Sequence, residues 1–169
     1  MTSKGERATR RTDALSKQLI VRAASEILDA EGETALTFRV LTRRLNTGYG
    51  AIYHHVTNKS DLLAAATDEV VARVVADLVT DAEPREALRA LALGLFDAID
   101  AHPWVGAQLT RQPWRPALLD VYKSLSEQLQ ALNVPEDAIF DAAGVLVNYI
   151  LGVAGQNAAT ARVLADSAT

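Results

Sequence analysis

Apolar residues in this chain recur at intervals of three and four, and almost nowhere alternate with polar ones. That period lines one face of a helix, whereas a half-buried strand needs a period of two. Leu15, Leu19, Ala23 and Ile27 form a stripe spaced by four, joined by Ile20 and Leu28; Leu63, Val70, Val74 and Leu78 mark a second. The expectation is an all-α chain, with a three-helix head containing a helix-turn-helix and a helical-bundle body.

Punctuation residues divide the pattern. A first helix is expected from Asp13, as N-cap, to Glu31, stopped by Gly32. A short one follows from the cap Thr37 to Leu45, then the break "NTG" at 46–48, another short helical piece, and the turn "TNKS". Ser60 is the expected cap of a helix reaching Thr80, with Asp61 near its positive end. Pro84 opens a helix to Ala101. The stretch "HPWVGAQLTRQPWRP", with three prolines and both tryptophans, is expected to be irregular, and two longer helices, Pro116–Leu132 and Pro135–Ala165, follow. The domains expected are a flexible basic arm over 1–12, a helix-turn-helix head over 13–59, and a helical body over 60–169.

With 49% hydrophobic residues but only 5% aromatic, the core must be aliphatic. The chain has no Cys, which excludes disulfides and thiolate metal sites and fits a reducing cytoplasm. Its first residues, "MTSKGERATRRTD", lack the apolar run of a signal peptide. The nearest approach to a membrane span, Ala138–Gly155, carries Asp141 and Asn148 and reads as a buried helix, so no membrane partner is expected. The net charge of −4 hides a split: residues 1–60 hold 10 Lys and Arg against 6 Asp and Glu, and residues 61–169 hold 7 against 15. A basic head on an acidic body suits a polyanion at the head alone; a charged, solvated tail over Lys4–Lys17 accounts for the same numbers.

The head's chemistry concentrates in "GYGAIYHHV". Gly50 and Ala51 keep one helix face thin enough to approach base edges, and Tyr49, Tyr53 and His54 can reach bases or phosphates. A second short helix after a tight turn can enter a major groove about 12 Å wide. Ile52 and Val56, four apart, anchor the helix to its own core. Arg39 can read guanine, and Thr37, His55 and Lys59 suit phosphate. A purely structural account would make Tyr53 and Ile52 core residues. Adjacent His54 and His55 do not point at one ion, so no metal is expected. Arg43 and Arg44 read as solvated helix charges.

"ALTFRVLTRRLNTGYGAIYHHVTNKSDLL" resembles the DNA-binding head of the TetR (tetracycline repressor) family of bacterial transcription regulators, over roughly residues 13–70. The resemblance implies that Tyr53 and Lys59 grip phosphates, as does the helix start at Thr37. It implies that Tyr49, Gly50, Ala51 and His54 form the recognition face, that His55 is partly packing, and that Arg39 stands where some members read a base. The family usually has Ala at Thr42, Gly at Asn46, Val at Thr47 and often Ser at Gly48. Asn can adopt the left-handed turn, and Gly caps more weakly than Ser.

For the body, the resemblance implies a homodimer and a small, largely apolar effector. Polar groups among apolar walls suit a ligand cavity. Val74, Leu78, His102, Trp104, Gln108, Arg111, Trp114, Asn148 and Tyr149 are the candidates, although buried polar groups serving loop backbone would look alike. From Ile139 to Ala154 the last helix is apolar on nearly every face and must be covered on both sides. Phe140, Gly144, Val147, Leu151 and Gly155 are its candidate dimer contacts, the alternative being the central helix of a monomeric bundle. Many members continue past the position of Thr169 with another long helix. No catalytic constellation, phosphate-loop pattern or cofactor motif occurs, so no enzyme and no cofactor are expected. The expected function is a cytoplasmic, ligand-responsive repressor that leaves a palindromic operator when its effector binds; the alternative is a helical sensor acting through a protein partner.

Overall fold

The computed structural model describes residues 15–78, 82–113 and 115–167. These form eight helices and no strand: α1 (Lys17–Glu31), α2 (Phe38–Arg44), α3 (Tyr49–Tyr53), α4 (Lys59–Ala76), α5 (Pro84–Ala101), α6 (Pro103–Arg111), α7 (Pro116–Ala131) and α8 (Glu136–Ser167). The chain divides into two compact units, Met1–Ala66 and Thr67–Thr169. The division falls inside α4 rather than at residue 60, because Leu62, Leu63 and Ala66 in its first turns are buried residues of the head. The expected arm over 1–12 lies outside the described residues, as does Asp13.

In the head, α1 begins at Ser16, whose hydroxyl accepts from the Leu19 N–H at 3.1 Å, and not at Asp13. Leu15 and Ile20, at the two positions of a hydrophobic staple, are both buried. The buried face is Ile20, Val21, Ala23, Ala24, Ile27 and Leu28, while Leu19 is 41% exposed. A strict spacing of four advances about 40° beyond a full turn at each step, so that stripe drifts off the core face. Gly32 ends α1 with φ 79°, its N–H bonded to the Leu28 carbonyl. Leu36, Leu41, Ile52 and Val56 complete the apolar centre.

In the body, α5, α7 and α8 pack on one another and α6 packs on α5 and α8. Each helix contributes residues at helical spacing: Ala87, Leu91, Leu95 and Ile99 from α5; Leu118, Val121, Leu125 and Leu129 from α7; Ala143, Val147, Ile150 and Ala154 from α8. The proline-rich stretch expected to be irregular contains α6. Pro103 takes the first helical position, where its missing N–H costs nothing, and Pro113 comes only after the helix has ended. Trp104, Val105, Gln108 and Leu109 form its buried side. At Gly106 an added Cβ would lie 2.8 Å from Ile99 Cγ2, so the absence of a side chain sets how closely α6 approaches α5.

The last helix departs most from expectation. Of its most apolar stretch, within Glu136–Ala161, only 22% is buried within the single chain, so its own bundle covers one side of the helix. Its inner face closes the bundle. The opposite face presents Val145 (68% exposed) and Tyr149 (70% exposed), followed by Val153, Val163 and Leu164.

Candidate nucleic-acid interface and ligand cavity

The turn between α2 and α3 is a defined capping motif. Asn46 sits in the left-handed region at φ 48°. Its N–H bonds the Arg43 carbonyl at 3.3 Å, and the Thr47 N–H bonds the Thr42 carbonyl at 3.0 Å. These are the paired bonds of a Schellman motif, in which Asn replaces the more common Gly. Thr42, buried at 8% exposure, satisfies its hydroxyl by donating to the Arg39 carbonyl at 2.9 Å. The Thr42 hydroxyl is therefore accommodated without an orphaned donor.

Helix α3 starts from Gly48, which supplies no side-chain cap. Its buried residue is Ile52, and Val56 is buried just beyond. Tyr49, Gly50, Tyr53 and His54 are exposed together on this five-residue helix and its C-cap, and Ala51 is half-buried. No heavy atom lies within 4 Å of a Cβ built on Gly50, so this surface is open. The Tyr53 ring lies 4.8 Å from Phe38 at 49°, with half its surface still exposed; packing fixes the ring and leaves it accessible. His54 and His55 meet edge to face at 5.2 Å, with His55 half-buried.

Thr37 caps α2 by accepting from the Val40 N–H at 3.2 Å, and Arg39 is exposed in the first turn of that helix. Arg44 pairs with Glu26 at 2.6 Å in a solvent-exposed ion pair. The cap of α4 is Asn58 rather than Ser60. Asn58 Oδ1 accepts from the Asp61 N–H at 2.9 Å, and Asn58 Nδ2 donates to Asp61 Oδ2 at 3.1 Å. Lys59 is half-buried, and its Nζ donates to the Glu33 carbonyl in the α1–α2 connection. An ammonium has three donors, and this bond occupies one of them.

In the body, the expected pocket residues separate. Trp104 and Gln108 are buried in α6, with His102 at 5.9 Å from the Trp104 ring. Val74 is half-buried and lies 3.0 Å from the position of a Cβ on Gly94, so it packs on α5. Leu78 is half-buried beyond the end of α4, and Trp114 lies outside the described residues. Asn148 and Tyr149 are exposed and do not belong with the others, because the inner positions of α8 are 143, 147, 150 and 154.

The dimer candidates divide similarly. Val147 is 1% exposed within its own bundle, which removes it from any outer interface. Gly144 is half-buried, its Cβ position 3.9 Å from the Tyr122 hydroxyl. Leu151 and Gly155 line a groove of about 350 Å³ with Ile99, Pro103, Gly106, Ala107, Thr110, Arg111 and Ala158. Phe140 is 62% exposed and stacks on Tyr122 at 6.0 Å.

A second cavity, of about 510 Å³, lies at the α6–α7 corner among Arg111, Gln112, Pro113, Arg115 and Pro116. Arg115 is 6% exposed and makes a two-pronged pair with Asp68 of α4. Neither residue stands out in the sequence. They are 47 positions apart, and no short-range pattern joins them.

Comparison with known proteins gives these features a context. The model of the tetR family of bacterial regulatory proteins matches residues 20–66. The structure of SCO7222, a TetR from Streptomyces coelicolor, is 51% identical, with 86% of this chain and 72% of that chain covered and a TM-score of 0.81. BioQ with its natural double-stranded DNA operator is 28% identical, covering 88% and 89%, with a TM-score of 0.73. The S. coelicolor TetR family protein ActR in complex with actinorhodin is 25% identical, covering 90% and 76%, with a TM-score of 0.74. A curated HTH-type transcriptional regulator of Saccharopolyspora erythraea is 28% identical over 87% of this chain, which spans 63% of that protein's length. With 51% identity to a solved TetR regulator over the aligned 86% of the chain and that family's model matched across the helix-turn-helix, the chain belongs to the TetR family of bacterial regulatory proteins.

Proposed function

We propose that the protein is a ligand-responsive DNA-binding repressor that acts as a homodimer in the cytoplasm and has no catalytic role. The observation that carries the DNA reading is the exposed set Tyr49, Gly50, Tyr53 and His54 on one short helix, itself held by the Asn46 turn and the buried Ile52. A helix of this kind offers aromatic and imidazole groups to base edges and phosphates, with Gly50 permitting close approach. Two heads of a dimer would occupy successive major grooves, about 34–36 Å apart, on a near-palindromic operator. The relative crystallised with its operator supports this partner class.

The bare face of α8 favours a second copy as its cover. Val145, Tyr149 and Val153 recur at intervals of four on a face that its own bundle leaves open. The relative crystallised with actinorhodin supports a small effector for the body. Since α4 begins in the head and ends in the body, a ligand that prefers one body conformation can shift the population of DNA-competent heads through it.

Selection of bound duplexes from a random pool tests the reading, followed by titration of the selected sequence with wild type, Tyr53→Phe and Tyr49→Ala. The expected result is enrichment of a palindrome and a loss of about tenfold in affinity for each variant, the scale of one lost base or phosphate contact. No enrichment at low salt, with the protein folded, rejects DNA binding.

A further inference from the structure

The charge of Lys59 is out of place in its own helix. It is the first residue of α4, at a helix end that is electropositive and suits the Asn58 cap and Asp61 instead. Its half-buried side chain crosses to the carbonyl of Glu33, two residues past the end of α1, on the electronegative side of that helix. The two residues are 26 positions apart, and between them lie both helices of the helix-turn-helix, α2 and α3. The bond therefore joins the two ends of the DNA-reading segment. A second contact joins them further in, where Phe38 at the start of α2 packs on Tyr53 at the end of α3. Helices this short do not hold themselves, and closing the segment into a loop removes many of its alternative arrangements.

We propose that Lys59 is a positioning residue for operator binding, a clasp that closes the helix-turn-helix segment on itself and keeps Tyr53 against Phe38. It acts on DNA through that geometry and not by gripping a phosphate. A lysine reaching for DNA would stand free in solvent, whereas this ammonium is drawn back to the protein's own backbone and its stem is half-covered. Tyr53 is left half-exposed on a ring whose placement is fixed, which is what a contact to DNA requires. The inference rests on the DNA-binding part of the proposed function, and the clasp itself is measured without DNA.

The test compares the full chain with Lys59→Met, which keeps the apolar stem and loses the donor. Without DNA, amide hydrogen exchange over α2 and α3 should quicken about tenfold or more in the variant, while that of α7 stays as in wild type. On the duplex selected from the random pool, Lys59→Met should bind about tenfold more weakly at every salt concentration. The slope of log affinity against log salt should change by less than half of the roughly 0.9 that one phosphate contact contributes. Lys59→Arg, which keeps a donor and the charge, should recover most of the protection and most of the affinity. Wild-type exchange in Lys59→Met, unchanged operator affinity, a slope smaller by about 0.9, or an arginine variant no better than methionine overturns the inference. If wild type selects no duplex, the proposed function fails, and the exchange measurement still decides whether the clasp exists.

Discussion

The helix-turn-helix and the last helix hold their shape by opposite means. Helices α2 and α3 have 7 and 5 residues, well below the roughly 12–15 at which an isolated helix becomes marginal in water. They persist because the Thr37 cap and the Asn46 turn fix their ends, the Asn58–Asp61 cap starts the helix that follows, and buried Leu41 and Ile52 anchor them to the head. Helix α8 has 32 residues and needs little local help, yet it leaves a file of apolar side chains uncovered. The comparison teaches that a short element needs its ends fixed by local bonds as well as a buried anchor, whereas a long apolar one is completed only by what packs on it.

The largest expected effect tests the second half of that contrast. Val145→Asp with Tyr149→Asp should convert the proposed dimer to monomer, with the dissociation constant rising at least about a hundredfold. Each lost apolar burial removes about 1.5–3 kcal/mol per subunit, and sedimentation velocity would read the change. Unaltered circular dichroism is expected, because both residues lie outside the monomer's core. A variant pair that stays dimeric assigns the interface elsewhere.

A smaller effect tests the first half. Asn46→Val should destabilise the head by about 1–2 kcal/mol, since a β-branched residue is strained at positive φ, and Asn46→Gly should be neutral or stabilising. Chemical denaturation followed by Tyr fluorescence reads both. Smallest of all, Gly48→Ser should raise head stability by a few tenths of a kcal/mol by supplying the missing cap. Nothing within 4 Å obstructs the added Cβ. If the serine variant were less stable, α3 would depend on something other than its local ends.

The legibility of the molecule in its sequence follows the same division. Helical class, the stop at Gly32, the Thr37 cap, and the starts at Pro84 and Pro116 could all be read, because each depends on neighbours within a turn. The left-handed Asn46 could be anticipated from its chemistry. The cap of α4 was misplaced by two positions, since Asn58 and Ser60 are both capable and only the reciprocal bond with Asp61 selects one. Helix α6 was hidden by three prolines, of which Pro103 begins a helix and Pro113 follows its end.

By itself, then, the sequence determined the helical class, most of the helices and which short segment carries groups suited to DNA, because backbone preference and capping are local. Only the tertiary structure decided which face of α8 is inner, placing Val147 in the core and Tyr149 outside it. Only the tertiary structure joined Asp68 to Arg115. On a helix that is apolar all round, periodicity assigns no inside. Two charges 47 residues apart meet only when the elements that carry them have packed.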